Sequence, residues 1–369
     1  MNKPSARVRS DFKIIVGAVA CLIVIGFIFI YSASSFYAFE YAQSSTFFLK
    51  KQLIGLTLGL FFAWIFSRLP LRLIYYLAPI TFIVALGLTA LTLIPQFAYT
   101  MHGSSRWLQL GGFIFQPSEL LKWALIIYIA NMLARKESVR AAHKRYLPAL
   151  IILGLAAIVL LKQPDFGLTA TLGATVVCLF FIAYPDWRYV FGLCFAAIPV
   201  LSLLIYIEPY RVKRILTFLN PWQDPQGAGF QVIQSLIAIG SGGALGLGIS
   251  HSKQKFFYLP MQHTDFIYSI IGEETGFLGA GIVILLYILI LYKGLQLSWR
   301  VPIPFGRYII QGFVSLVTIQ SIINIAVAVG LFPTKGIGLP FVSYGNSSLL
   351  CAIAMMGVIA RIVKESNVH

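Results

Sequence analysis

Charge is what this chain has least of: Asp, Glu, Lys and Arg together make up 11% of its 369 residues, where soluble domains carry about 25%. That shortage excludes an ordinary water-soluble globule. Acids are the scarcer sign, with 12 Asp and Glu against 28 Lys and Arg and a formal net charge of +16. Cysteine is rare as well. Cys21, Cys178, Cys194 and Cys351 all lie in apolar stretches without metal-ligand spacing, so they read as small buried hydrophobes rather than a disulfide or thiolate metal framework. The chain has no short-period repeat and no segment that would fold as a separate soluble domain. No small-residue cleavage site clearly follows the first apolar run, so no cleavable leader is expected.

What the chain does have is apolar sequence. Hydrophobic residues make up 59% of it, in stretches of about 20, the length that crosses ~30 Å of hydrocarbon. The expected fold class is an all-α, polytopic integral membrane protein. Basic clusters at Lys3, Arg7, Arg9 and Lys13, at Arg68 and Arg72, and at Arg135, Lys136, Arg140, Lys144 and Arg145 set the orientation, because cytoplasmic loops concentrate Lys and Arg. The result is ten transmembrane helices with both termini cytoplasmic. The spans cover about 14–31, a stretch ending near 66, one ending near 95, 118–133, 148–161, 168–184, one ending near 208, 277–293, 308–331 and one ending at 361.

The whole chain, 1–369, reads as a single membrane domain. Its largest polar interruption is residues 209–276, which fall on the extracytoplasmic side: a loop over about 209–265, then a short helix over about 265–274. An unbroken helix from Phe266 to Lys293 would run to about 42 Å at ~1.5 Å per residue, too long for the hydrocarbon core without strong tilt. Gly272, Gly276, Gly279 and Gly281 offer places to break it before the span proper begins at Phe277.

Asp265 is the candidate catalytic residue. It meets the start of an apolar run, where an ionisable group is expensive and therefore a functional candidate, and partial desolvation would raise its pKa and make it a better base. His263 lies two residues before it. Glu273 and Glu274 follow, and read better as ties between the short helix and its neighbours than as reacting groups. Basic residues assigned outside are Arg106, Lys162, Arg211, Lys213, Arg214, Lys253, Lys255 and Lys335. The positive-inside rule does not ask for them, and a cluster of Lys and Arg facing a polar cavity suits an anionic ligand. Contact with anionic membrane lipids is the blander reading.

Glu119 and Lys122, three apart at the start of the fourth span, share a helix face and can pair. Such a pair serves equally as a structural lock or as a substrate contact. Asp165, in QPDFG, is a helix cap or a catalytic group. The glycine-rich run at 240–248 follows an apolar helical stretch rather than a strand; it reads as a close-packed turn, not a nucleotide-binding loop. Ser250-x-x-Lys253 and Ser252-x-x-Lys255 lack the companion motifs of a penicilloyl-serine enzyme.

Taken in order, RWLQLG, FQPSELLK, QPDFG, RILTFLNPWQDPQGAGFQVIQSLIAIGSGG, QKFFYLP, HTDFIYSIIGEETG and PTKGIGLPFVSYG resemble the SEDS family (shape, elongation, division and sporulation). NPWQDP, QKFFYLP and PTKG are closer to its division branch than to its elongation branch. The resemblance covers nearly the whole chain and implies a peptidoglycan glycosyltransferase of the bacterial cytoplasmic (inner) membrane, at the division septum. It would polymerise lipid II with Asp265 as general base and undecaprenyl pyrophosphate as leaving group.

The same resemblance implies substrate-binding roles for Arg106, Lys253, Lys255, Lys335, Glu119, Lys122, Asp165, His263 and Ser343. It implies a class B penicillin-binding protein as the transpeptidase partner, together with other division proteins, and dependence on a divalent cation, Mg or Mn, whose ligands the sequence does not identify. No organic cofactor and no nucleic acid are expected. Met261 stands where the family usually has Glu, Gly345-Asn346 where it has Gly-Gly, and Ser250-His251 where it has Gly-Asn. A lipid II flippase and a division scaffold are the competing functions.

Overall fold

The computed structural model describes residues 4–101, 104–110, 113–135, 142–184, 187–255 and 259–366. The basic loop at 136–141, the Pro185-Asp186 turn and part of QKFFYLP fall outside the described residues. The helices are α1 (Pro4–Ala42), α2 (Phe47–Arg68), α3 (Leu71–Leu91), α4 (Pro117–Arg135), α5 (Ala142–Lys162), α6 (Phe166–Ala183), α7 (Trp187–Tyr206), α8 (Pro209–Leu219), α9 (Phe230–Gly242), α10 (Ile267–Arg300), α11 (Pro304–Ala328) and α12 (Asn346–Glu365). The chain is a polytopic helical membrane protein. Among the described residues seven helices are long and apolar enough to cross a membrane, or eight if α7 and α8, which meet at a 104° bend, form one span.

The helical pattern has one departure. Between α3 and α4 the chain forms a three-stranded antiparallel sheet in the order β1 (Ala98–Met101), β2 (Ser104–Leu110), β3 (Phe113–Phe115). Aromatic, Thr and Ile side chains favour extended backbone here. Pairing Leu108 with both Ala98 and Phe115 satisfies peptide groups that a bare loop would leave to solvent.

α11 and α12 form the buried centre of the bundle. Gly55, Gly59 and Ala63 recur every fourth residue on α2 and present a flat face to α12. A side chain at Gly55 would press on Asn346, one at Gly59 on Leu350 and Ile353, and one at Gly357 of α12 on Ala63. Lipid supplies no hydrophobic drive between helices, so backbone approach through small residues is what brings them together. The faces turned away carry bare apolar side chains, among them Phe61 and Trp64 on α2, Ile80 and Ile83 on α3, and Phe195 on α7, as lipid contact requires.

α10 has 34 residues and is broken at Gly276, which takes φ 66° and ψ −163°. A break inside a buried helix orphans peptide groups, and the glycine-rich segment after α9 meets them. Leu247 and Gly248 donate to the carbonyls of Glu273 and Glu274 at 3.0 Å each, while Phe277 and Leu278 donate to Gly243 and Ala244 at 2.9 and 3.2 Å. Gly246, at φ 84°, lies directly on the Glu274 carbonyl, an approach no side chain would permit. The run is thus a backbone splice across the helix break.

Candidate functional site

The turn carrying Asp265 precedes α10. The backbone amides of Thr264 and Asp265 both donate to the Met261 carbonyl at 3.1 Å, and Met261 itself sits at φ 56°. The turn is held from above by the 333–345 segment. Ser343 Oγ donates to the Thr264 carbonyl at 2.5 Å while accepting from Leu339 N at 2.7 Å, and Tyr344 N donates to the His263 carbonyl at 2.9 Å. Asn324 of α11 donates to the Asp265 carbonyl at 2.8 Å. With its backbone fixed, the Asp265 carboxylate faces a cavity of about 1490 Å³. Among the described residues no side chain donates a hydrogen bond to it.

Arg106, Asp165, Arg211, Arg214 and Lys335 share this cavity wall. Arg106, from β2, donates to the Gln163 and Pro164 carbonyls at 3.1 and 2.8 Å and pairs with Asp165 at 3.5 Å. Asp165 also caps α6, accepting from Leu168 N at 3.1 Å, so cap and cavity residue are one and the same. Arg214 of α8 donates to the Thr334 carbonyl at 2.9 Å and lies 4.4 Å over the Tyr210 ring. Lys335 Nζ lies 5.3 Å over the Phe166 ring and 4.7 Å over that of Phe332. These contacts aim three cations at a partly enclosed space.

The electrostatics follow from that enclosure. Burial pushes the Asp265 carboxyl up to about 7, against the opposing pull of Arg214 and Arg106 and with a further push from Asp165. Burial likewise raises the Asp165 carboxyl, with Arg106 opposing it. Lys335 is lowered to about 8 by burial and by repulsion from Arg214. His263 is lowered to about 4 by burial alone and is neutral. It packs against the rings of Tyr37, Phe48 and Tyr344, at 5.9, 4.6 and 5.7 Å between centroids.

Glu119 lines the cavity and Lys122 stands behind it. They pair at 2.6 Å, and Lys122 Nζ reaches Gln320 Oε1 at 3.3 Å. Neutralising either partner alone is expected to cost roughly 3–5 kcal/mol, because the other charge is left buried and unpaired. Replacing both with apolar residues should cost less. Thermal unfolding in detergent of the two singles and the double checks this, and singles as stable as the parent would remove the pair from the fold's support.

The structure does not bring Lys253 and Lys255 into the cavity. Lys255 is buried, with Nζ 3.6 Å from Glu274 and 2.6 Å from the Ser250 carbonyl. Lys253 is exposed elsewhere, and its amide donates to Glu273 at 2.9 Å. The cause lies in the helix break. Glu273 and Glu274 are carried inside with it, and the 250–255 segment folds over them, Ser252 and Ser32 adding hydroxyl donors. Among the described residues no three His, Cys, Asp or Glu side chains come together, and Asp165 and Asp265 sit among cations. These residues do not fit a metal held by the protein alone.

A helical membrane bundle with a half-buried aspartate facing a basic cavity defines a class: membrane proteins with a pocket suited to an anionic ligand. The family model described as "Cell cycle protein", covering FtsW, RodA and SpoVE, matches residues 13–368, and the chain belongs to that family. It is 40% identical over 355 residues, 96% of this chain and 95% of the other, to the "Probable peptidoglycan glycosyltransferase FtsW" of Geobacter sulfurreducens (strain DL-1 / KN400). It is 36% identical to stage V sporulation protein E of Bacillus subtilis (strain 168), over 94% of this chain and 95% of that one. Among solved structures it superposes with a TM-score of 0.79 and 31% identity, over 95% of this chain and 97% of the other, on a chain from work described as "Structural coordination of polymerization and crosslinking by a peptidoglycan synthase complex".

Proposed function

We propose that this protein is a peptidoglycan glycosyltransferase of the division type, polymerising lipid II at the outer face of the bacterial cytoplasmic membrane, at the septum. The observation that carries the reading is the placement of one carboxylate, Asp265, in a cavity whose other charged lining is mostly cationic, where burial raises it to about 7. A base works best with a pKa near the operating pH. Asp265 takes the proton of the acceptor sugar hydroxyl as that oxygen attacks the anomeric carbon of the donor. The bond from that carbon to the pyrophosphate oxygen breaks, and undecaprenyl pyrophosphate leaves against Arg106, Arg214 and Lys335. A class B penicillin-binding protein supplies the crosslinking activity, and other division proteins complete the assembly.

Ten spans follow if α4 and α5 cross with α1, α2, α3, α6, α7, α10, α11 and α12. A reporter fused after Arg145 should then read cytoplasmic, and one inserted at Gln226 extracytoplasmic. The same side for both would contradict an external site. The function itself is tested with purified protein, its partner transpeptidase and labelled lipid II. Polymer should form with release of undecaprenyl pyrophosphate in step. Intact lipid II moved across a bilayer with no polymer would make the protein a flippase instead.

A further inference from the structure

α11 is apolar along most of its length, yet it carries two amide side chains one turn apart, Gln320 and Asn324, on the face toward the cavity segments. Positions i and i+4 stand one above the other. Gln320 Nε2 donates to the Gly338 carbonyl at 2.8 Å, and its Oε1 accepts from Lys122. Asn324 is buried, 1% exposed. Its single Nδ2 donates twice, to the Ile337 carbonyl at 2.7 Å and to the Asp265 carbonyl at 2.8 Å.

Asn324 thereby joins two pieces of chain 72 residues apart (337 − 265): the turn that bears Asp265 and the segment that bears Lys335. The two lie in contact, since a Cβ at Gly336 would sit 3.5 Å from Asp265 Oδ2. Among the described residues Asn324 Oδ1 is buried with no hydrogen-bond partner. Leaving an acceptor orphaned in the interior is costly, and such groups in native proteins call for an explanation. What sets Asn324 apart is its donor end, which is spent on the Asp265 turn and on the segment that carries Lys335.

We propose that Asn324 is a positioning residue for Asp265: its two donated hydrogen bonds fix the aspartate's turn against the 335–338 segment, so that the carboxylate and Lys335 keep one relative placement. Gln320 continues the same brace to Lys122 and, through it, to Glu119. The inference rests on Asp265 being the reacting base, and it assigns Asn324 no contact with substrate. Small displacements of a reacting group are expensive, about 10²-fold in rate for ~1 Å.

The test uses the full chain with its partner, and activity is normalised to folded protein. Asn324→Ala is expected to lower kcat for polymer formation by about 10²-fold while leaving the KM for lipid II within about threefold of the parent. An unchanged kcat per folded molecule overturns the proposal. So does a raised KM at parental kcat, which would make Asn324 part of the binding surface. If Asn324→Ala yields no folded protein, Asn324→Ser, which keeps a shorter donor, is measured in the same way with the same criteria. Loss of folding in both variants also overturns the proposal, because the amide would then hold the bundle rather than the aspartate. Asp265→Asn is run alongside. Full activity there refutes the base itself, whereas an inactive Asp265→Asn beside a normal Asn324→Ala refutes only the positioning role.

Discussion

Asp265→Asn is expected to reduce polymer formation by about 10²–10⁴-fold, the range that general-base help contributes, with lipid II binding nearly intact. The amide keeps the size of the carboxylate and loses its basicity. The turn should persist, because it is held by backbone contacts from Met261, Asn324, Ser343 and Tyr344 rather than by the carboxylate itself. Stability is expected to equal or exceed that of the parent. A carboxyl raised to about 7 takes up its proton more readily folded than unfolded. Its stabilising linkage is therefore fully present below the ordinary carboxylate range and lost as pH rises through about 7, and an amide never incurs that loss. Kinetics, lipid II binding and thermal unfolding on one preparation check all three statements. A variant that loses binding along with rate would place Asp265 in substrate recognition instead.

Removing the charges opposite has a different signature. A charge-assisted hydrogen bond contributes about 1.5–3 kcal/mol, so Arg214→Gln or Lys335→Gln should each weaken lipid II binding by roughly 10- to 100-fold, and the pair by more. Both side chains are anchored by the wall: Arg214 by the Thr334 carbonyl and Tyr210, Lys335 by Phe166 and Phe332. Each therefore meets an incoming pyrophosphate without reordering a long side chain. Arg214→Gln has a second consequence. Arg214 is the largest charge holding the Asp265 carboxyl down, so its loss should move the base to higher pH. Unaltered binding in both variants would return these cations to contact with lipid headgroups.

Asp265 stood out in the sequence because an acid at the start of an apolar run is an energetic anomaly that needs no tertiary information, and the structure puts it on the cavity wall. The Glu119–Lys122 pair was legible because helical spacing alone puts the two side chains together. Arg106, Lys335, His263, Ser343 and Asp165 do line the cavity. Their side of the membrane could be argued from loop counting, but not their mutual placement. Lys253 and Lys255 lie away from the cavity for a physical reason. Their position depends on a helix break that carries Glu273 and Glu274 inward and on a loop that folds back to meet them, and neither has a sequence period. The β1–β3 sheet escaped notice because a short extended segment between spans gives no periodic signal. Gln320 and Asn324 carried a faint one, two amides four residues apart in an apolar helix. Its meaning depends on which carbonyls the fold brings opposite.

The measurement that bears most directly on the base is the pH dependence of kcat/KM for polymer formation, taken at lipid II well below saturation, in the parent and in Asp265→Asn. The base must be ionised to accept a proton, so the parent rate should rise about tenfold per pH unit on the acid side and level off near pH 7. The residual rate of Asp265→Asn should lack that limb. A parent rate flat between about pH 5 and 8, or the same limb persisting after the carboxylate is gone, would contradict the account.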